Sequence, residues 1–172
     1  YCAKLKIPYY IKKTDIANII LKEEIKNPCS KCSYFRKGVI SEFIKKKDFN
    51  KIAYGHHYDD VVETFLLSII YSGQIKTFKP KSFLSDNNIH TIRPMVYLRE
   101  RKVKEAKKII GYEAKDSPCP YDGNTKREEI KQLINNFEHS DQIFYNLASA
   151  MREGTKIQLW PKELTGVEIK SR

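Results

Sequence analysis

Two cysteines, Cys29 and Cys32, form a Cys-x-x-Cys pair in the segment PCSKCSYFRKG, residues 28–38. Pairs with this spacing occur in zinc sites, in iron–sulfur sites and in thioredoxin-like redox motifs, so the pair alone leaves three interpretations open. A redox pair is expected at the start of the first helix of a thioredoxin-like unit, whereas here another helical segment precedes it. The two metal interpretations require a further ligand elsewhere in the chain.

Cys119 is the candidate for a third thiol ligand. It lies in the turn-rich segment SPCPYDG, whose backbone can bend toward a metal, whereas Cys2 lies in an apolar context typical of a core cysteine. Zinc usually takes four nitrogen or sulfur ligands, and three thiolates suit an iron–sulfur cluster with one open iron. The alternative is that Cys119 is an ordinary loop cysteine.

The segment GHHYDDVVET, residues 55–64, holds the second group of chemically active side chains. A short strand ends there and a helix begins, and ligands bind at such strand ends in α/β sheets. The residues concerned are Gly55, His56, His57, Asp59 and Asp60. Adjacent carboxylates suit Mg²⁺ that bridges nucleotide phosphates, and a glycine lets the backbone approach those phosphates. Glu63 and Thr64 follow one helical turn later and are candidates to orient the aspartates.

A purely structural interpretation of the same segment stays open. Asp59 and Asp60 lie where carboxylates stabilise a helix start, and His56 and His57 are either substrate contacts or ordinary hydrogen-bonded histidines.

Two arginines, Arg36 and Arg93, are further candidate site residues. Arg36 follows Cys32 by one helical turn, so its guanidinium can reach the same cavity and neutralise a phosphate. Arg93 precedes a proline, at a place where the chain must leave the sheet. Arg99 and Arg101 open the next helix and are interpreted as solvated surface charges.

Alternating short strands and helices must position these side chains. Strands are predicted at 8–13, 51–55 and 90–97, and helices at 14–25, 32–49, 59–73, 99–111, 125–138 and 140–152. This order predicts an α/β fold with a parallel sheet covered by helices and a helical C-terminal portion. We therefore expect an α/β domain over residues 1–115 and a helical extension with a tail over residues 116–172.

The composition excludes several classes of protein. The chain has 172 residues, 41% of them hydrophobic, and no apolar run approaches the roughly 18 residues of a membrane span. It shows no secretory signal, so the cytoplasm is the expected compartment. The net charge of +11 favours a polyanionic partner such as RNA, DNA or a nucleotide, although an AT-biased genome also enriches lysine. Because the chain starts at Tyr1, we expect an upstream segment.

Taken in order, four segments resemble the tRNA 2-thiocytidine synthetase family of PP-loop ATPases over about residues 5–152. The segments are CSKCSYFRKGVI, AYGHHYDDVVETFLLSIIYSGQIKTFKPK, IRPMVYLRERKV and SPCPYDGNTKREEIKQLI. The resemblance implies an adenine-nucleotide α-hydrolase-like sheet, which is Rossmann-like. It also implies a sulfurtransferase that uses ATP and Mg²⁺ to adenylate a pyrimidine carbonyl of tRNA and then replaces the oxygen with sulfur, forming 2-thiocytidine in the anticodon arm.

The resemblance also implies roles and partners. A [4Fe-4S] cluster would be held by Cys29, Cys32 and Cys119, while the catalytic residues would be Asp59, Asp60 and Arg36. The cofactor-binding residues would be Gly55, His56, His57 and Arg93. The expected partners are tRNA, a sulfur donor such as a cysteine desulfurase, and a second copy of the chain in a homodimer.

The sequence departs from the family pattern at two places. The glycine-rich SGGxDS-like phosphate loop is absent from the sequence, so we expect it upstream of Tyr1 and expect this chain alone to be inactive. Many members also repeat a CxxC at the later cysteine site, where Asp122 here stands three residues after Cys119. The alternatives are a tRNA 2-thiouridine synthetase, which usually has extra zinc modules at its termini, a zinc-stabilised RNA-binding domain, and a decayed paralogue that binds nothing.

Overall fold

The computed structural model describes residues 1–22, 27–85, 88–137, 139–152 and 154. Within these ranges the helices are α1 Ile16–Lys22, α2 Pro28–Lys46, α3 Tyr58–Ser72, α4 Glu100–Ile110, α5 Lys126–Asn135 and α6 Ser140–Ala150. The strands are β1 Lys51–Ala53, β2 Lys81–Leu84 and β3 Ile89–Ile92. The predicted C-terminal tail and the end of the predicted first helix lie outside the described residues.

The three strands form one small mixed sheet in the order β1-β3-β2. β1 and β3 are parallel, which confirms the predicted α/β arrangement, and Ile52 pairs with Thr91 at its centre. β2 was not predicted, and it runs antiparallel to β3. Only four residues separate these two strands, and a parallel connection needs a crossover of a dozen or more.

The predicted strand over residues 8–13 is wrong, because this segment has no regular secondary structure. Its side chains are largely exposed, with Tyr9 at 71% and Ile11 at 75% of full exposure. β-propensity reflects how well a side chain packs on a pleated surface with neighbours. No described strand pairs with this segment, and Tyr10 packs instead against Phe43 of α2, with ring centroids 5.1 Å apart.

The helix that contains the Cys-x-x-Cys pair begins earlier than the sequence predicts. α2 starts at Pro28 instead of Cys32, preceded by Asn27 in the left-handed conformation at φ 67°. Proline suits the first position of a helix because its missing N–H would have no intrahelical acceptor there. Both cysteines therefore lie within the first two turns of one helix.

The main core joins the middle of the chain to its C-terminal helices. Val62 of α3 packs with Ile130 and Ile134 of α5 and with Phe144 and Ala148 of α6. The predicted helices over this region are thus confirmed, and α5 and α6 fix the position of α3. The division of the chain near residue 115 stays a prediction. A smaller cluster, made of Ile44, Ile52 and Ile89, joins α2 to the sheet.

We expect Phe144→Ala to destabilise the protein by about 3–5 kcal/mol, because it removes a large buried ring and leaves a cavity. Phe144 is only 2% exposed and meets the ring of Tyr58 edge to face at 5.3 Å. Urea unfolding measures the change. The control is Ile109→Ala, at a position 86% exposed, for which a change within about 0.5 kcal/mol is expected. Equal effects of the two variants would contradict this description of the core.

No helix in the described part of the chain is long and apolar enough to cross a membrane.

Candidate functional site: a cysteine-lined cavity and an acidic helix start

All three candidate thiol ligands line one open cavity of about 440 Å³. Cys29 and Cys32 reach it from α2, and Cys119 reaches it from the segment between α4 and α5. Arg36, one helical turn after Cys32, lines the same cavity, as the sequence predicts. The fold therefore brings together residues that are about ninety positions apart in the sequence. We call this space the cysteine cavity.

Local backbone structure presents the thiols on both walls. On one wall, the Asn27 side chain does not cap α2, and the N–H groups at a helix start lack intrahelical acceptors, which makes such an end favourable for a negatively charged centre. On the other wall, the Asp122 N–H donates to the Cys119 carbonyl at 3.0 Å, which closes a tight turn. The Cys119 N–H donates to Ser117 Oγ at 3.3 Å. Cys29 and Cys119 are exposed and Cys32 is half-buried, so a ligand can enter.

The number of thiols in the cysteine cavity can be compared with what a single metal ion and an iron–sulfur cluster require. No three His, Cys, Asp or Glu side chains in the described ranges are gathered closely enough to hold one metal ion. In a tetrahedral zinc site with Zn–S bonds of about 2.3 Å, two thiolates lie only ~3.8 Å apart. Each thiolate of a cluster binds its own iron, so cluster ligands are spread more widely around a larger group. The three thiols that line the cysteine cavity supply the number of thiolates that a cluster with one open iron takes.

The second predicted group lies at the start of α3, where His57 and Asp60 stabilise the helix. The His57 N–H donates to Asp60 Oδ2 at 2.8 Å, and the Asp60 N–H donates to His57 Nδ1 at 3.3 Å. This reciprocal arrangement is a capping box with histidine in the place usually held by serine or threonine. It supports the structural interpretation for both residues and fixes one oxygen of the Asp60 carboxylate.

Asp59 holds the next helix in place. Its carboxylate accepts from Arg99 Nε at 3.1 Å and from the Glu100 N–H at 2.6 Å, at the first residue of α4. The Arg99 guanidinium lies over the Phe144 ring, 3.6 Å from its centroid, and donates to Asp141. Arg99 is therefore a structural link between α3, α4 and α6, and the interpretation of it as solvated surface charge is wrong.

Arg127, at the start of α5, contacts three residues of α3. Its Nη1 donates to Glu63 Oε2 at 2.9 Å, and its Nη2 donates to Thr64 Oγ1 at 3.0 Å. Longer contacts of 3.4 Å join Nη1 to the carbonyl and to Oδ1 of Asp60. Sequence reasoning missed Arg127 because KREE resembles a solvated helix start. The available signal was Glu63, since a carboxylate among buried apolar positions requires a cationic partner.

Burial raises the pKa of Glu63 above its ordinary value of 4.5, and the hydrogen bond from Arg127 only partly opposes this shift. Since the raised pKa means that the folded state binds the proton more tightly, this stabilising contribution is complete below pH 4.5. It is lost as the pH rises through the folded-state pKa.

We therefore expect Glu63→Gln to become progressively more stable relative to the unsubstituted protein as the pH rises from about 4.5 toward neutrality. Urea unfolding at a series of pH values measures the difference. Glu42→Gln is the control with the opposite sign, because Lys46 lowers the pKa of the exposed Glu42. Its relative stability should instead rise on acidification. Parallel pH profiles for the two variants would contradict the assignment.

His56 and Arg93 lie together at the end of the sheet. Arg93 Nε donates to His56 Nδ1 at 3.3 Å, and its guanidinium lies 4.6 Å from the centroid of the Phe78 ring. Burial lowers the pKa of His56, and the nearby Arg93 acts in the same direction. Gly55 has room for a side chain, since an added Cβ would meet only Met95 Cε at 3.5 Å. Its predicted phosphate contact stays a prediction.

In the part of the chain that the structure describes, none of residues 55–60 lines the cysteine cavity. Asp59 lines a separate space of about 240 Å³ together with Arg99, Glu100 and Lys131. Asp60 is connected to the cysteine cavity through α5, because Thr125 lines that cavity while Arg127, two residues later, contacts Asp60. The roles of these residues in catalysis and in cofactor binding stay predictions.

The comparison with known families defines the class of protein. Residues 1–137 match the family model described as a PP-loop domain. The chain belongs to this PP-loop family, and its α/β fold agrees with that membership.

Relatives of this chain include tRNA-cytidine(32) 2-sulfurtransferases from several bacteria. A tRNA-cytidine(32) 2-sulfurtransferase of Coxiella burnetii (strain Dugway 5J108-111) is 37% identical over 171 residues, which cover 92% of this chain and 64% of the relative. The enzyme of the same name from Shewanella loihica is 35% identical over 144 residues, 80% of this chain and 44% of the relative. The chain thus spans less than two thirds of the length of these relatives.

A solved structure supports the fold. The U34-tRNA thiolase NcsA from Methanococcus maripaludis, solved with its [4Fe-4S] cluster, superimposes with a TM-score of 0.65 at 22% sequence identity. The match covers 87% of this chain and 53% of NcsA. At this identity the similarity shows a shared fold, and the resemblance stated from the sequence is confirmed by the sequence relatives.

Proposed function

We propose that this chain takes part in ATP-dependent thiolation of tRNA, with formation of 2-thiocytidine at position 32 of the anticodon arm. The sulfurtransferase relatives support the reaction and the target nucleotide. The observation that supports it most directly is the cysteine cavity, where three thiols and Arg36 meet. The PP-loop family membership supports ATP as the activating substrate.

The reaction replaces one pyrimidine oxygen with sulfur in two steps. The pyrimidine oxygen attacks the α-phosphorus of ATP, an O–P bond forms and pyrophosphate leaves. A sulfide equivalent then attacks the activated carbon, the C–O bond breaks, AMP leaves with the oxygen, and the sulfur gives up its proton. The sulfide comes from a sulfur donor; where that donor is a cysteine desulfurase, its persulfide is reduced to sulfide by a dithiol reductant, which becomes a disulfide. No net oxidation or reduction of the nucleobase occurs.

Cys29, Cys32 and Cys119 are proposed to hold a [4Fe-4S] cluster. When bound, a cluster with three cysteine ligands supplies one open iron to which the incoming sulfur can bind. Arg36 is proposed to stabilise the negative charge that develops during the exchange, because a cation held beside developing charge lowers the energy of the transition state. Asp59 and Asp60 are proposed to handle Mg²⁺ and ATP, with Gly55, His56, His57 and Arg93 on the nucleotide side.

Charge and compartment fit this proposal. A net charge of +11 suits a tRNA partner, since each phosphate contact made by lysine or arginine releases counterions. We place the reaction in the cytoplasm, where free thiols persist. A homodimer is part of the same proposal.

The test uses the complete gene in cells from which it has been deleted. Nucleosides from digested tRNA are measured by mass spectrometry with and without the gene. The proposal predicts that 2-thiocytidine disappears on deletion and returns on complementation. Loss of 2-thiouridine in its place would support the alternative enzyme, and unchanged thionucleosides would contradict a thiolation function.

A further inference from the structure

Arg127 is the residue that physically connects the two candidate functional groups. It lies on the first turn of α5, eight residues after Cys119, and its guanidinium contacts α3 at Glu63 and Thr64. The contacts with Asp60 are the longest, at 3.4 Å, and they add to the two shorter ones. Glu63 and Thr64 therefore hold the guanidinium where its Nη1 also contacts the Asp60 carboxylate.

The two oxygens of Asp60 have different surroundings. Oδ2 accepts from the His57 N–H at 2.8 Å and belongs to the helix cap. Oδ1 faces Arg127 Nη1. The backbone of His57 and the side chain of Arg127 therefore restrict rotation of this carboxylate from both sides. A catalytic group restricted in this way reaches its working geometry without further ordering, which is how supporting residues raise reaction rates.

The other end of this connection reaches the cysteine cavity. Thr125 lines the cavity, and its hydroxyl accepts from the Glu128 N–H at 3.3 Å, which caps α5. Between Cys119 and Thr125 the chain makes tight turns, with Gly123 at a φ of 76° and the Asn124 N–H bonded to the Tyr121 carbonyl. The position of Arg127 is thus tied to the segment that presents Cys119.

We propose that Arg127 is a positioning residue for thiolation, which orients Asp60 relative to the cysteine cavity. This inference rests on the proposed function and adds a role for a residue outside the predicted site. Arg127 acts through Asp60 and contacts neither thiol nor substrate. The competing explanation is that Arg127 only neutralises the charge of Glu63, which is buried and only 5% exposed.

A double substitution separates the two explanations. Arg127→Met leaves Glu63 buried without its cation, so this variant is expected to unfold at lower urea concentration. In Arg127→Met with Glu63→Gln the buried charge is also gone, so most of the stability should return. Asp60 still lacks its partner in the double variant. The second substitution should therefore restore the free energy of unfolding while kcat stays low.

The measurements are urea unfolding, iron content, and kcat and KM for tRNA thiolation, made on the product of the complete gene. Both variants are expected to retain iron and to lose about 10–100-fold in kcat with little change in the KM for tRNA, as for loss of other supporting residues. Arg127→Lys should recover only part of kcat, because an ammonium lacks the planar fork that contacts Glu63 and Thr64 together. Glu63→Gln alone is the matched control for the double variant.

Recovery of kcat together with stability in the double variant would overturn the positioning role, since Arg127 would then only neutralise Glu63. Full kcat in Arg127→Met would overturn it as well. Absence of thiolation by the unsubstituted protein, loaded with iron and supplied with ATP and sulfide, would overturn the proposed function and this inference with it. Loss of kcat with restored folding supports the inference.

Discussion

Replacing Cys29, Cys32 or Cys119 by alanine is expected to remove most of the iron from anaerobically purified protein. The three thiols line one cavity, and each is expected to bind a separate iron, so no remaining thiol can substitute for a missing one. Removing a residue that only hydrogen-bonds to a metal ligand typically lowers metal affinity or activity by about 10–100-fold. Removing a ligand itself should lower metal affinity by at least the same factor. Iron analysis and visible absorption of each purified variant measure the effect.

Cys2→Ala is the matched control for this experiment. Cys2 is a free, half-buried cysteine that does not line the cysteine cavity, so its removal should leave the iron content unchanged. Full iron retention in any of the three cavity variants would remove that cysteine from the ligand set. Equal loss in all four variants would indicate a general effect of thiol removal instead of ligation.

Asp60→Asn is expected to lower tRNA thiolation by about 100-fold, equivalent to roughly 3 kcal/mol of metal-ion stabilisation. Asparagine keeps an oxygen that can accept from the His57 N–H, so the helix cap and the fold should survive. Mass spectrometry of thionucleosides in tRNA measures the activity, and urea unfolding measures the stability.

Asp59→Asn is the paired variant, and for it the structure predicts a loss of stability in addition to the loss of thiolation. Its carboxylate holds Arg99 and the first N–H of α4, so the variant should lose about 2 kcal/mol of stability through a weakened charged hydrogen bond. Thiolation is therefore compared at a temperature at which both variants are folded. Unchanged turnover in folded Asp60→Asn would exclude Asp60 from the reaction, and unchanged stability of Asp59→Asn would contradict its structural role.

The helices were predictable because their apolar spacing and stop signals are local. The helix predicted over residues 99–111 is α4, which ends at Ile110 and is followed by Gly111 in the left-handed conformation at φ 65°. Strands were harder to predict because their stability depends on neighbours. The segment KSFL lacks a clear alternation yet pairs with β3, whereas the β-rich PYYIKK lies beside no described strand.

The cysteine cavity was predictable only in part. Spacing placed Cys32 and Arg36 on one helix directly after Cys29, but Cys119 joins them through tertiary packing that no local pattern encodes. The resemblance to sulfurtransferases supplied that link before the structure did. Arg127 escaped prediction for the same reason, since its partner Glu63 lies 64 residues away in the chain. Its environment is set by the packing of α5 on α3.

The metal content of the unsubstituted protein, purified without oxygen, tests the central claim most directly. If three cysteines from two distant segments form one iron–sulfur centre, the protein should be brown and contain about four iron and about four sulfide per chain. A colourless protein with about one zinc per chain and no sulfide would contradict this account and favour a zinc-stabilised RNA-binding domain.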